Sequence, residues 1–100
     1  MVKVKKRITT HPAEVLSEEF LKPLKISQHK LALEIRVPAT RIGEIVHGRR
    51  AITPETSLRL ARYFGTSPEF WLNLQQTFDL SKVRAEQEAK IAQEVRSYAD

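Results

Sequence analysis

The sequence contains no cysteine. That excludes a disulfide, a thiolate metal centre and a cysteine nucleophile, and it fits a reducing cytoplasm. No apolar run exceeds three residues, as at 31–33, so no membrane span is expected. The basic opening segment, with Lys3, Lys5, Lys6 and Arg7, has no apolar stretch behind it, and no secretory signal is expected. Only three glycines and five prolines occur, and they fall where elements should begin or end. Repeats and low-complexity segments are lacking. Period-two alternation is confined to one short candidate strand at residues 2–8, so the fold class expected is all-α.

What is present is an ordinary globular composition. One hundred residues, 41% hydrophobic and 29% charged, make one domain with a modest core. The charge is uneven. The first fifty residues carry eleven basic and five acidic side chains, a balance of +6; the second fifty carry six and seven, a balance of −1. A basic half on a chain of pI 9.8 points to a polyanion, and nucleic acid is the commonest one.

Helix signals follow in series. Pro12 with Glu14 opens a first helix carrying Val15, Leu16 and Phe20, which Pro23 is expected to end. Ser27 caps a second, with Leu31, Ala32 and Ile35 at helical spacing. Pro38 opens a third, with Ile42, Ile45 and Val46, closed by Gly48. Thr53-Pro54-Glu55 starts a fourth through Leu58, Ala61 and Phe64 to Gly65, and Ser67-Pro68-Glu69 starts a fifth through Trp71, Leu74 and Phe78. From Leu80 to Tyr98 a sixth helix is expected, with a weak apolar line of Ile91, Val95 and Tyr98. The division read from this is a flexible basic tail over 1–9, a DNA-binding domain over 10–79, and a C-terminal helix over 80–100 for dimer or partner contact.

The second and third helices are separated by almost no linker, at Arg36-Val37. Such a pair must cross steeply, which is the helix-turn-helix geometry. Ile42, Ile45 and Val46 face inward, while Thr40, Glu44 and His47 face outward with Arg41 and Gly43 at the flanks. Placed in a major groove, the start of this helix (Pro38, Ala39, Thr40, Gly43 and Glu44) would read base edges. Gln28, Arg41, His47, Arg49 and Arg50 would hold the phosphate backbone. Glu44 has two readings: it accepts from a cytosine amino group, or it orients Arg41 or another nearby base. The basic N-terminal run has two as well, an unstructured tail or a backbone-binding arm. Arg36 stands where such turns commonly carry glycine, and a positive φ there costs about 1 kcal/mol.

Other residues have plainer readings. Trp71 and Leu74 belong to the core or to a dimer interface shared with Ile91, Val95 and Tyr98. Asn73 and Gln75 are solvated or capping groups, and Arg59 and Arg62 form the polar face of the fourth helix. His11, His29 and His47 lie on separate elements, so no metal site is expected. With no phosphate loop, no nucleophile elbow and no paired acid and base on one face, the chain reads as a non-enzyme without cofactor.

The residues Gln28-His29-Lys30-Leu31-Ala32, then Arg41 through Thr53, resemble the phage-repressor (XRE-type) helix-turn-helix class. The continuation Leu58 through Gln75, with its Trp71-Leu72-Asn73-Leu74-Gln75 run and Phe78-Asp79-Leu80, is similar to the HigA (VapI-like) antitoxins. The similarity runs from about Thr10 to Leu80. It implies a cytoplasmic, homodimeric repressor bound to double-stranded operator DNA. It also implies neutralisation of a RelE/HigB-like ribonuclease toxin in a type II toxin–antitoxin module. A stand-alone regulator of this class without a toxin is the alternative.

Overall fold

The computed structural model describes residues 10–99, so the segment 1–9, with its candidate strand and basic arm, lies outside them. Among the described residues there are five helices and no strand, as an all-α chain requires. We label them α1, the contiguous stretches Pro12–Glu14, Val15–Leu21 and Lys22–Leu24; α2, Gln28–Ile35; α3, Ala39–Val46; α4, Pro54–Phe64; and α5, Pro68–Glu94.

Most boundaries are set locally. Ser27 Oγ accepts the Lys30 amide at 3.0 Å, Thr53 Oγ1 accepts that of Thr56 at 3.3 Å, and Ser67 Oγ accepts that of Phe70 at 3.1 Å. Each side chain satisfies a first-turn donor that has no helical partner. At the other ends the chain turns left-handed, at Gly48 (φ 74°) and Gly65 (φ 78°), where lack of a side chain makes that conformation cheap.

Pro23 does not end α1, as the sequence reading expects. A proline ring collides with the carbonyl four residues back in a regular α-helix. Here the preceding turns are widened: the Lys22 amide donates to Ser17 O, five residues back, over a π-helical stretch. The wider coil accommodates the ring, and the helix continues to Leu24. It stops at Lys25, left-handed at φ 57°, with the Ile26 amide returning to Leu21 O at 2.9 Å.

The C-terminal division is also corrected. The fifth helix and the expected sixth are one helix of 27 residues, because no glycine or proline interrupts the chain after Pro68. It ends at Glu94, and Val95 is extended, so Tyr98 does not continue the line of Ile91 and Val95.

The core gathers Leu16, Leu21, Leu31, Ala32, Ile35, Ile42, Ile45, Ile52, Leu60, Ala61 and Trp71. Trp71 is completely buried, with Phe20 at 4.9 Å and Phe70 at 5.0 Å between ring centroids, and its indole N–H donates to Thr66 Oγ1 at 2.8 Å. It therefore has no surface to offer a second chain, and its place in a dimer interface is withdrawn. Leu74 packs half-buried against the same core. Beyond Phe78 the helix leaves the domain: Leu80, Val83 and Ile91 are 52%, 42% and 43% exposed.

Candidate nucleic-acid interface

α2 and α3 are joined through Arg36, which takes the left-handed conformation itself, at φ 62°. The Val37 amide closes the turn on Ala32 O at 3.0 Å. The turn is thus made in full with an arginine in the glycine-preferring position. Ala32, Ile35, Ile42 and Ile45 are all buried, so the inner faces of both helices are committed to the core and α3 can offer only its outer face.

On that face Pro38, Ala39 and Thr40 are exposed, and Gly43 and Glu44 are half-buried. Gln28, the first residue of α2, reaches toward Gly43, and its Oε1 would lie 3.8 Å from a Cβ built there. Gln28 and the start of α3 therefore form one continuous surface, with the first-turn amides of α2 beside it. A helix N-terminus of this kind favours a phosphate.

The basic residues divide. Arg41 does not face the same way as Thr40; its guanidinium pairs with Glu55 of α4 at 3.1 Å. Arg50 pairs with Glu44 at 2.7 Å, so the partner of Glu44 is Arg50, not Arg41. Arg49 is exposed and has no ion pair among the described residues. The His47 ring nitrogen Nδ1 lies 2.7 Å from Gly43 O, and since a carbonyl only accepts, Nδ1 donates to it. His29 is exposed on α2, and no cluster of metal-ligating side chains occurs among the described residues.

Three positioning contacts were not legible locally. Gln75, read as solvated or capping, is buried: its Oε1 accepts the Ile52 amide at 2.8 Å and its amide donates to Asp79 at 3.0 Å. Asn73 is exposed, as read. Arg59, read as surface, donates to Ile35 O at 2.9 Å, capping the end of α2, and to Glu55 at 3.0 Å. Glu55 thereby ties α3, through Arg41, to α4. The hydrogen bond from Arg59, with Arg41 adding to it, holds the Glu55 carboxyl below its usual range. His11 accepts the Ala13 amide at 3.0 Å, packs its ring at a tilt against Phe78 at 4.3 Å, and closes the space beside Gly48. The i,i+4 spacing of Glu55 and Arg59 marks that one pair in the sequence; the contacts to Ile35, Ile52 and Phe78 join distant residues that only the fold brings together.

A closely joined helix pair with a left-handed turn, an outward polar face and basic flanks defines a helix-turn-helix protein of the nucleic-acid-binding class. The helix-turn-helix family model matches residues 18–71. Virulence-associated protein I of Dichelobacter nodosus is 46% identical over 79 residues, covering 79% of this chain and 73% of that protein. An addiction module antidote protein of the HigA family from Coxiella burnetii superposes with a TM-score of 0.85 at 43% identity, covering 90% of this chain and 98% of that one. The Pseudomonas aeruginosa antitoxin HigA, solved with the higBA promoter, gives 0.87 at 37% identity over the same shares, 90% and 98%. The chain belongs to the HigA antitoxin family of helix-turn-helix proteins. No helix among the described residues is long and apolar enough to cross a membrane.

Proposed function

We propose that this chain is the antitoxin of a type II toxin–antitoxin module, an autorepressor that binds operator DNA and neutralises a RelE/HigB-like ribonuclease toxin. The observation that carries this is the open outer face of α3, continuous with Gln28, on a backbone that matches a promoter-bound antitoxin over 90% of its length. Pro38, Ala39, Thr40, Gly43 and Glu44 meet base edges. Gln28, His47 and Arg49 serve the backbone, Arg41 joins them on leaving Glu55, and Arg50 stays on Glu44. The chain acts by binding rather than catalysis, in the cytoplasm where its DNA is.

Two copies are needed, because one recognition helix covers only one half-site. With Trp71 buried, the surface for the second copy is the outer half of α5. There Leu80, Val83 and Ile91 share one helical face and line a shallow groove of about 210 Å³ with Arg84 and Glu88. Val95 and Tyr98, beyond the helix end, are exposed and lie outside this groove.

The test is co-expression with the product of the neighbouring gene. Joint purification, relief of growth arrest and tighter operator binding by the pair are expected. A chain that represses its own promoter but binds no neighbour is a stand-alone regulator.

A further inference from the structure

The end of α3 is shaped by a reversal. The Gly48 amide donates to Ile45 O at 3.0 Å and the Arg49 amide to Glu44 O at 2.7 Å. This folds the chain back over the last turn of the helix. Gly48 is left-handed, and a Cβ there would stand 3.2 Å from His11 Nε2, so the reversal is sterically closed on its open side. It sends Arg49 and Arg50 to different fates. Arg49 is left without an ion pair among the described residues, whereas Arg50 lies over Glu44, its Nε donating to Oε1 at 2.7 Å.

The contact uses one oxygen of the carboxylate and one nitrogen of the guanidinium. The two side chains are still 42% and 49% exposed, so the paired carboxylate can be reached from outside. A lone carboxylate in a groove is repelled by phosphates on both sides. One neutralised by a guanidinium is not, and it remains an acceptor. In the major groove an acceptor with a fixed position suits an amino group, and for a carboxylate the matching one is cytosine N4.

We propose that Glu44 and Arg50 act as one unit that reads a C·G pair in each half-site. Arg50 is a specificity-determining positioning residue that holds Glu44 in its accepting pose, rather than one more phosphate anchor like Arg49. This rests on α3 being the base-reading helix.

The test is selection of bound duplexes from a randomised pool by the full chain and by its Glu44→Gln, Arg50→Ala, Arg49→Ala and Thr40→Ala variants. Circular dichroism confirms that each is folded. The parent should prefer cytosine at one position per half-site by about tenfold. Glu44→Gln and Arg50→Ala should each abolish that preference. Arg49→Ala should weaken all sequences alike and leave the profile unchanged. If Arg50→Ala gives only the uniform loss of Arg49→Ala while Glu44→Gln alters the profile, the role assigned to Arg50 is wrong and Glu44 reads alone. If Glu44→Gln matches the parent but Thr40→Ala does not, the reading helix stands and the unit is wrong. Unchanged profiles for both remove the reading helix and the unit together.

Discussion

The side-chain carbonyl of Gln75 accepts the backbone amide of Ile52 at 2.8 Å, in a buried contact between residues 23 apart. It pins the loop that follows α3, and so Arg49 and Arg50, to the long helix α5. An amide left unpaired in that setting costs roughly 1–3 kcal/mol. Gln75→Leu should therefore lower stability by about 2 kcal/mol in urea denaturation. In an Asp79→Asn background, which removes the facing carboxylate, Gln75→Glu keeps the acceptor and should cost less than Gln75→Leu. Equal losses there would show that the amide of Ile52 finds another partner.

Arg36 occupies a left-handed turn at φ 62°, where a side chain is strained and glycine is not. Arg36→Gly should stabilise the chain by about 1 kcal/mol, raising the thermal midpoint by roughly 5 °C. A fall in the midpoint would mean that the arginine side chain contributes more than its backbone costs.

Arg49 has no ion pair among the described residues and stands just beyond the reading helix. As a phosphate contact it should account for about 0.9 of the log–log slope of operator affinity against salt. Arg49→Ala should reduce the slope by that amount and weaken operator and random duplex equally. An unchanged slope with a changed sequence preference would place Arg49 on a base.

Local signals carried most of the helix boundaries. Ser27, Thr53 and Ser67 cap as their positions imply, and Gly48 and Gly65 turn left-handed, because capping depends on a few neighbouring residues. The two misplaced boundaries have physical causes. Pro23 is normally a stop, but the π-helical turns ahead of it remove the clash that makes it one. The separate helix expected from Leu80 is absent because nothing in the chain breaks the helix there; the apolar line is weak because α5 leaves the core. Within the site, the outward face of α3 follows from helical periodicity alone. The ties of Arg41 to Glu55, Arg50 to Glu44 and Gln75 to Ile52 do not, since each depends on how separate elements pack.

Glu55 has its carboxyl held below the usual range by Arg59 and, after it, Arg41. Its folded value thus lies below the unfolded one, so the network favours the folded chain above the ordinary carboxylate range. That contribution is lost as the pH falls through the folded value. Comparing thermal midpoints of the parent and Glu55→Gln, the parent should be ahead at about pH 7, and the gap should close as the pH falls below the ordinary carboxylate range. A gap that persists at the acid end would place the effect of Glu55 outside its charge.

The most direct measurement is a titration of this chain against the promoter segment upstream of its own gene and against a shuffled duplex of equal length, at one physiological salt concentration. Sequence-specific repression requires the promoter to bind at least about 10³-fold more tightly, with protection over two half-sites about 10 base pairs apart from centre to centre. Equal affinity for the two duplexes would contradict it, leaving a basic helical protein that holds DNA by charge alone.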